Sequence, residues 1–474
     1  MPDRPLVAGV DTSTQSCKVV VCDAETGEVV RTGRASHPDG TEVDPRHWWD
    51  AWREASGDGI LDGVSAIAVG GQQHGMVLLD EHGEVVRPAL LWNDTRSAQA
   101  ADDLVAELGA QAWADATGLV PVAATTVSKL RWMSTHEPDN LARARTCVLP
   151  HDWLTGRIRA DGAAAPDDAW TTDGGDASGT GYWSAGTREY RPDLLRLATG
   201  TDLAVPRVAA PAEVVGHTAS GLAVAAGTGD NMGAALGLGL QPGDVVVSLG
   251  TSGTAFARNS RASADPTGSV QSFADAEGGF LPLVCTLNAA RVLAAGAAML
   301  GTDLAGLDRL ALAGAPGAGG LTLLPYLDGE RTPNLPTATG SLHGLTRSNA
   351  TPENLARAVL EGMLLNLAAA VDAVRAVGCP VQRVLLIGGA SASTAVQEIA
   401  PDLFGVPVAV PSPGEYVAVG AARQAAWALA GGGHPPRWDV DVDVTVHPGD
   451  TTTGAEIRER YAATVTATYP TPGS

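Results

Sequence analysis

The stretch LVAGVDTSTQSCKVVVCDAETGEVV, residues 6–30, consists of apolar runs separated by short polar connections. Residues 6–10, 17–23 and 28–34 are rich in β-branched side chains, and the connections between them are short, the second with a glycine. Such connections are typical of β-hairpins. The stretch therefore predicts an antiparallel meander at the start of the chain.

A second stretch repeats this pattern about half a chain later. The apolar run 245–249 leads into the hydroxyl-rich turn 250–254, as residues 7–10 lead into residues 11–14. Backbone amides and hydroxyl groups in such turns can bind phosphate without a lysine. The repetition predicts two halves with related cores, each of which presents a phosphate-binding turn.

The chain length and the order of the predicted elements indicate a two-domain α/β protein. The 474 residues exceed the size at which a single hydrophobic core stops growing. After the meander, a strand-like run at 64–71 and helical patterns from about 95 to 150 are followed by alternating strands and helices. A long apolar stripe predicts a helix over 351–377, whereas residues beyond 436 are weakly patterned.

Composition excludes several classes of function. The formal charge of −22 would repel a polyanion, so nucleic acid is not an expected partner. A membrane-spanning apolar stretch and a signal peptide are both missing from the sequence pattern, which predicts a cytoplasmic protein. The two lysines, Lys18 and Lys129, do not complete a P-loop. The five cysteines show no zinc-binding or disulfide spacing, so we expect free thiols.

Asp11 stands at the end of the first apolar run, where phosphates would lie in the predicted turn. A carboxylate there would repel phosphate oxygens unless a divalent cation lay between them. The position therefore predicts Mg²⁺ at Asp11, held mainly through water. The alternative is that Asp11 only caps a turn.

Asp230 lies in GTGDNMGAA, residues 227–235, between glycines and a helix-like run. A carboxylate at this place could face a cleft and accept a proton from an attacking hydroxyl group. The alternative is that Asp230 is the N-cap of the helix. Local sequence alone favours the N-cap interpretation.

Other polar clusters offer donors and acceptors for a polyol. GGQQHGMVLLD (70–80) holds Gln72, Gln73 and His74, and LWNDTRS follows at 91–97, although a lone histidine is more often a structural hydrogen-bonding residue. The segment 160–192 is rich in Gly, Asp, Ser and Thr, and we expect a loop that faces a ligand. The helix-spaced tryptophans at 48, 49 and 52 are expected in the core.

Taken in order, eight stretches resemble the FGGY carbohydrate kinases, closest to the members that phosphorylate xylulose, over about residues 6–431. The stretches are VAGVDTSTQSCKV, GGQQHGMVLLD, PALLWNDTRS, AGTGDNMGAALG, SLGTSGTAF, LLPYLDGERTPNLP, ARAVLEGMLLNLA and LIGGASASTAVQEIAPDLFGVPV. The resemblance implies a duplicated ribonuclease H-like fold of the actin, sugar kinase and Hsp70 type, with ATP and sugar between two lobes. The lobes would be 1–239 and 240–435, followed by a tail at 436–474.

The resemblance also implies roles for particular residues. Asp230 would be the catalytic base, and Asp11 would organise Mg²⁺ and phosphates. Sugar contacts would come from Gln73 and His74, with help from Asn231 and Asp176. The residues that would bind the nucleotide and its phosphates are Thr12, Ser13, Gly250, Thr251, Gly388, Gly389, Ala390 and Gln397.

The activity implied is ATP-dependent phosphorylation of a ketopentose, with D-xylulose as the expected acceptor at its terminal hydroxyl. One departure concerns Gln73, since the xylulose-phosphorylating members usually carry methionine there. Ribulose, another ketose, a pentitol or glycerol therefore stays open as acceptor. From another class, an actin-like ATPase module that modifies no sugar is the alternative. An exposed face of the 351–377 helix could support a homodimer.

Overall fold

The structure is a computed structural model that describes residues 4–164, 170–449 and 451–470. The described chain divides into two compact units. The first comprises the residues up to Leu240, Asn259–Leu281 and Gly414–Val440. The second comprises Gln241–Arg258, Pro282–Pro413 and the residues from Asp441 onward.

The strands are, in chain order, β1 (Leu6–Thr12), β2 (Ser16–Asp23), β3 (Val29–Ser36), β4 (Glu42–Val43), β5 (Val64–Gly71), β6 (Val77–Leu79), β7 (Ala89–Leu90), β8 (Thr146–Val148), β9 (Thr171–Thr172), β10 (Trp183–Ser184), β11 (Glu189–Tyr190), β12 (Arg207–Val208), β13 (Val214–His217), β14 (Ala223–Ala225), β15 (Thr228–Gly229), β16 (Asp244–Leu249), β17 (Gly253–Ala257), β18 (Gln271–Ala274), β19 (Phe280–Thr286), β20 (Thr322–Leu324), β21 (Ser341–His343), β22 (Arg383–Ile387), β23 (Val408–Pro411) and β24 (Val442–Val446).

The helices are α1 (Arg46–Ala55), α2 (Ala98–Leu108), α3 (Ala110–Thr117), α4 (Thr126–His136), α5 (Pro138–Arg143), α6 (Pro150–Arg159), α7 (Gly174–Ser178), α8 (Pro192–Thr199), α9 (Asp230–Gly237), α10 (Ala290–Met299), α11 (Leu304–Ala313), α12 (Pro352–Ala376), α13 (Thr394–Phe404), α14 (Tyr416–Ala430) and α15 (Thr451–Thr468). Short 3₁₀ helices lie at Ala318–Gly320 and Gly389–Ala392.

The sheet of the first unit has the strand order β13-β14-β5-β1-β2-β3. Strands β1, β2 and β3 pair antiparallel in sequence, which confirms the predicted meander. On its other edge β1 pairs parallel with β5, which pairs parallel with β14. Strand β13 closes the order antiparallel to β14. Parallel neighbours place the carboxyl ends of β1 and β5 at one edge of the sheet.

Strands of the second unit repeat this arrangement in the order β19-β17-β16-β22-β23-β24. Strands β16, β17 and β19 pair antiparallel. Strands β16, β22 and β23 pair parallel, and β24 is antiparallel to β23. Each pair of neighbouring strands has the same orientation, parallel or antiparallel, as the corresponding pair in the first unit. The predicted duplicated α/β fold is therefore confirmed.

The core of the first unit includes the predicted tryptophans. Trp48 is buried and packs edge to face against Trp153, with ring centroids 6.1 Å apart. Trp49 and Trp52 are partly buried against the same cluster and stack on each other at 4.7 Å. These contacts confirm the core interpretation of the three side chains.

Helix α14 belongs to the first unit, where it packs against α9 and strands β1 and β5. The contact is close because glycines line it. A Cβ atom on Gly9 would lie 1.8 Å from the carbonyl oxygen of Ala418. A Cβ atom on Gly420 would lie 1.8 Å from the carbonyl oxygen of Gly233. Backbones can approach this closely only where side chains are missing.

Two features of the observed organisation were not part of the predicted division into two lobes and a tail, which stays a prediction. The contiguous lobes 1–239 and 240–435 do not anticipate that 414–440 returns to the first unit through the α14 contacts. Residues 436–474, interpreted as a weakly patterned tail, contain β24 and α15.

The segment 160–192 is less irregular than expected. Residues 165–169 lie outside the described residues, but the remainder contains the short elements β9, α7, β10 and β11. Most side chains from Trp170 to Ala185 are buried. The expectation of a loop is therefore wrong for that part, where for example Asp173 caps α7, while the expectation that the segment faces a ligand stays a prediction.

Within the described ranges, no single helix combines the length and the apolar composition of a membrane span. The bent pair α10 and α11, with an angle of 84° between them, meets these criteria jointly.

Candidate active site

Asp11 lies near the end of β1 with only 3% of its surface exposed. Its Oδ2 accepts a hydrogen bond from Nζ of Lys18 at 3.3 Å, and Lys18 lies directly opposite it on β2. The same Nζ is 2.6 Å from Oε2 of Glu415, the residue before α14. Oδ1 of Asp11 has no hydrogen-bond partner among the described residues. One oxygen of this buried carboxylate is therefore free to bind a ligand.

The surroundings of Asp11 suit a cation. Burial raises the pKa of the Asp11 carboxyl to about 6, and the ammonium group of Lys18 limits the rise. A further positive charge would stabilise the ionised form. Magnesium sites often use one or two carboxylates together with water and substrate phosphates. The side chain of Asp11, with its free oxygen, fits such a site.

Asp230 is the first residue of α9, and Gly229 occupies the N-cap position. Oδ1 of Asp230 accepts hydrogen bonds from both the backbone N–H and the side-chain Nδ2 of Asn231, each at 2.7 Å. Burial and the nearby Asp11 carboxylate raise the pKa of Asp230 to about 7, while the Asn231 bonds lower it. A carboxyl group with this pKa can accept a proton near neutral pH. The N-cap interpretation of Asp230 is wrong, since the preceding glycine holds that position.

Gln73 links the segments that carry two other predicted residues. Its Nε2 donates to the carbonyl oxygen of Gly175 at 3.2 Å, in α7. Its Oε1 accepts a hydrogen bond from Nδ2 of Asn231 at 3.3 Å, in α9. Gln73, Asn231 and Asp230 therefore form one hydrogen-bonded chain in the first unit.

His74 is held by its surroundings in a left-handed backbone conformation, with φ at 66°. Its carbonyl oxygen accepts hydrogen bonds from Oγ1 of Thr126 at 3.1 Å and from Nζ of Lys129 at 3.2 Å. Its ring Nδ1 is 2.7 Å from the carbonyl oxygen of Gly179. These bonds support the structural interpretation of His74, and a sugar contact by His74 stays a prediction.

Asp176 lies fully buried in α7, within a group of ionisable side chains. Its Oδ2 is 3.0 Å from Nδ1 of His151. A Cβ atom on Gly229 would lie 2.9 Å from Oδ1 of Asp176, an atom without a hydrogen-bond partner among the described residues. The free oxygen of Asp176 therefore lies beside the residue that precedes Asp230.

The ligand atoms of His151, Asp173 and Asp176 lie within 4.8 Å of one another, a spacing that could hold a metal ion. Their hydrogen bonds argue against one. Nε2 of His151 is 2.9 Å from the carbonyl oxygen of Ala226, and Asp173 accepts the backbone N–H groups of Gly175 and Asp176 at the start of α7. The cluster is therefore better described as a buried ion-pair network.

In the second unit, the predicted phosphate turn Gly250–Thr251 lies between β16 and β17. Gly388 follows β22, which is the parallel neighbour of β16. Gly388 has φ at 90°, and a Cβ atom on it would lie 2.8 Å from the backbone of Leu249. The two glycine turns are therefore adjacent at the carboxyl ends of neighbouring strands.

The turn after β22 is exposed and internally braced. Gly388 and Gly389 are exposed, and Ala390 is half-buried in the 3₁₀ helix that follows. Nε2 of Gln397 donates to the carbonyl oxygen of Ser391 at 2.8 Å. Gln397 thus stabilises the turn, whose glycine backbone is open to a ligand.

Sequence reasoning did not predict four residues that contact the site. Lys18 and Lys129 served only to exclude a P-loop, yet Lys18 binds Asp11 and Lys129 binds the carbonyl oxygen of His74. The sequence has only two lysines, and this scarcity could have indicated that each has a specific role. Glu415 and His151 gave no signal, because their partners are distant in the sequence.

Both halves of the chain match the domains of one known protein family. Residues 6–239 match the N-terminal domain of the FGGY family of carbohydrate kinases, and residues 245–429 match its C-terminal domain. The chain is 49% identical to a xylulose kinase of Streptomyces coelicolor, over 90% of this chain and 89% of that protein.

Solved structures show the same architecture. The crystal structure of xylulose kinase from Bifidobacterium adolescentis is 45% identical, with a TM-score of 0.90 over 97% of this chain and 99% of that chain. The Plasmodium falciparum glycerol kinase with ADP is 17% identical, with a TM-score of 0.86 over 99% of each chain. At that identity the similarity to the glycerol kinase concerns the fold alone.

Proposed function

The chain belongs to the FGGY family of carbohydrate kinases, and on that premise we propose that it transfers the γ-phosphoryl group of ATP to the terminal hydroxyl group of D-xylulose. The 49% identity to a xylulose kinase over 90% of the chain supports this acceptor. The observation that carries the chemistry is Asp230, a carboxylate with a pKa of about 7 at the start of α9.

Asp230 acts as the general base in this proposal. Its carboxylate accepts the proton of the acceptor hydroxyl while the hydroxyl oxygen forms a bond to the γ-phosphorus. The bond between that phosphorus and the bridging oxygen breaks, and ADP leaves. Asn231 holds Oδ1 of Asp230 through two hydrogen bonds, so the carboxylate keeps one orientation.

Asp11, whose Oδ1 has no partner among the described residues, would hold Mg²⁺, mainly through water. When bound, the ion neutralises negative charge on the phosphates. Thr12 ends β1, and its hydroxyl group, which has no hydrogen-bond partner among the described residues, would contact phosphate. Ser13 follows it, and its backbone N–H and hydroxyl group both donate to the carbonyl oxygen of Ser16, so a phosphate contact by Ser13 would have to replace one of these bonds. The salt bridge from Lys18 to Glu415 fixes the ammonium group that binds the other oxygen of Asp11.

The remaining predicted site residues belong to two groups, one in each unit. Gln73, Asn231 and Asp176 would bind sugar hydroxyls from the first unit, with His74 beside them. In the second unit the glycine turns would bind the nucleotide through Gly250, Thr251, Gly388, Gly389, Ala390 and Gln397. A cytoplasmic location and a homodimer also stay predictions.

The first test is a panel of acceptors. ADP formation with Mg-ATP is measured with D-xylulose, D-ribulose, L-ribulose, glycerol and sugar alcohols, and without sugar. We expect D-xylulose to stimulate turnover strongly. Stimulation by another member instead would replace the acceptor, and equal ADP formation with and without every sugar would contradict the kinase activity.

The second test concerns the base. Asp230→Ala should lower kcat by about 10²- to 10⁴-fold, the contribution of a positioned general base. ATP binding, measured by calorimetry, should be retained. Asp102→Ala, on the exposed face of α2, is the matched control and should keep normal turnover. Near-normal turnover in Asp230→Ala would show that Asp230 is not the base.

A further inference from the structure

His151 contacts three segments that carry predicted site residues. It lies fully buried in α6. A Cβ atom on Gly71, two residues before Gln73, would lie 2.8 Å from its Cβ. A Cβ atom on Gly227, three residues before Asp230, would lie 2.0 Å from its Nε2. Together with Asp176, these contacts place the imidazole at the centre of the site's framework.

Both ring nitrogens of His151 face oxygen acceptors. Nε2 is 2.9 Å from the carbonyl oxygen of Ala226, and a carbonyl can only accept, so Nε2 carries a hydrogen. Nδ1 is 3.0 Å from Oδ2 of Asp176 and 3.2 Å from Oδ1 of Asp152. A ring that donates from both nitrogens is an imidazolium.

The charges around this ring are complementary. The described titratable groups that face it are Asp152 on its own helix and Asp173 and Asp176 at α7. Burial lowers the pKa of His151, but Asp152 and Asp176 outweigh it and hold this pKa well above its ordinary value. Burial and the Asp173 carboxylate raise the pKa of Asp176 well above its ordinary value, and the bond to the His151 ring acts in the opposite direction, in favour of the ionised form.

Asp176 is the member of this network that reaches the site. One of its oxygens is bound to His151, and the other, Oδ1, lies beside Gly229 without a partner among the described residues. An ionised carboxylate with one free oxygen accepts a hydroxyl hydrogen strongly. The orientation of that oxygen depends on the bond from the ring to Oδ2.

We propose that His151 is a positioning residue, a buried imidazolium that holds Asp176 as a carboxylate with Oδ1 directed at a sugar hydroxyl and fixes the Ala226–Gly227 turn before Asp230. The proposal rests on the proposed kinase function for the role of Asp176. The charge state of His151 does not depend on that function.

The first measurement is of the ring itself. The wild-type protein, labelled with ¹⁵N-histidine, is observed by NMR between pH 6 and pH 9. We expect one of its ten histidines to keep both ring N–H groups throughout, and this signal to be missing from His151→Asn. If every histidine is neutral or has titrated by pH 8, the proposal is overturned, whether or not any variant folds.

The second measurement is a double-mutant cycle for sugar binding. His151→Asn keeps a donor near the Nδ1 position but removes the charge and the bond to Ala226. We expect it to raise the KM for D-xylulose about tenfold, with the KM for ATP changed by less than about twofold. Asp176→Asn should have a similar effect. The double variant should resemble the larger single effect, because the two residues act as one unit.

Multiplying effects in the double variant, or an unchanged KM in His151→Asn, would overturn the proposal. His217→Asn, on the exposed end of β13, is the matched control and should behave as the wild type. If D-xylulose fails to stimulate the wild type, the kinase proposal fails for that sugar. The NMR result then still decides the charge of His151, so the two failures are distinguishable.

Discussion

Gln73 illustrates how one side chain sets the geometry of its neighbours. Its amide donates to Gly175 and accepts from Asn231, so both ends are used within the protein. Methionine, which the family resemblance of the sequence implies there, has no N–H group to donate to Gly175, and its sulfur is only a weak acceptor. The same Nδ2 of Asn231 also donates to Asp230. A polar side chain at position 73 therefore affects the base through Asn231.

The pH dependence of the reaction should report on this chain of hydrogen bonds. Asp230 must be ionised to accept a proton, so activity is fully present above its pKa and is lost as the pH falls below it. With a pKa of about 7 for Asp230, kcat/KM for the sugar should decline as the pH falls below about 7. Asp11 titrates nearby, so the apparent value belongs to both groups.

Asn231→Ala removes one donor to the Asp230 carboxylate. Since that donor stabilises the ionised form, its loss should move the acid limb of kcat/KM to higher pH, by roughly one unit. The measurement is a pH profile of initial rates from pH 5.5 to 9. Gln111→Ala on the surface of α3 is the control and should leave the profile unchanged. A shift to lower pH in Asn231→Ala would contradict the assigned cause.

For single residues, the sequence predicts which side chains belong to the candidate site better than it predicts the residues that they contact. Asp11 and Asp230 stand next to recognisable turns, so their positions at a strand end and a helix start could be predicted. The salt bridge from Lys18 to Glu415 joins residues almost 400 positions apart, and the bond from His151 to Asp176 depends on how residues 170–180 pack against α6. Local patterns contain no information about either contact.

Among the elements, α14 has the most restrictive packing. It lies so close to α9 that Gly420 and Gly233 contact each other through their backbones. Glu415, directly before this helix, holds Lys18 beside Asp11. The position of α14 therefore affects both the core of the first unit and the predicted magnesium site.

Gly420→Ala tests that packing. The added methyl group would lie 1.8 Å from the carbonyl oxygen of Gly233, so α14 and α9 must separate. We expect the free energy of unfolding to fall by about 1–3 kcal/mol or more, the usual cost of overpacking. Thermal unfolding of the two proteins gives the difference. Gly433→Ala is the control, since its Cβ would have no atom within 4 Å. Equal destabilisation by both variants would exclude a packing cause.

There is a physical reason why the sequence did not predict the last elements, β24 and α15. Helix α15 buries only Gly454, Ile457 and Tyr461, which form a narrow stripe among Thr, Ala, Glu and Arg. Its register is fixed by tertiary contact, since a Cβ atom on Gly454 would lie 2.1 Å from the carbonyl oxygen of Asp402. Elements of this kind form because of the surface they cover, and hydrophobic periodicity alone does not reveal them.

At the scale of the whole molecule, the repeated strand and turn pattern predicted a duplication, and the two sheets confirm it by sharing one order and one sequence of pairing senses. The repeat was visible because each half needs the same apolar strands before a glycine- or hydroxyl-rich turn. The discontinuous composition of the first unit was not visible. It depends on the return of residues 414–440 to β1, a contact between distant parts of the chain.

The distribution of tryptophan gives a test at this scale. All eleven tryptophans lie in the first unit, at positions 48, 49, 52, 92, 113, 132, 153, 170, 183, 427 and 438. Tryptophan fluorescence therefore reports the unfolding of the unit to which we assign the sugar. A ligand that binds only the folded state stabilises it by about 2.7 kcal/mol at 100 times its Kd.

We expect D-xylulose at that concentration to raise the fluorescence-detected Tm by about 4–5 °C, because the unfolding entropy is about 2.1 cal/mol/K per residue of the unit. Sucrose at the same concentration is the control for general stabilisation by osmolytes, and it should have a smaller effect. Far-UV circular dichroism on the same samples follows both units. A shift seen by circular dichroism with no shift in tryptophan fluorescence would contradict a sugar site in the first unit, because the tryptophans monitor that unit alone.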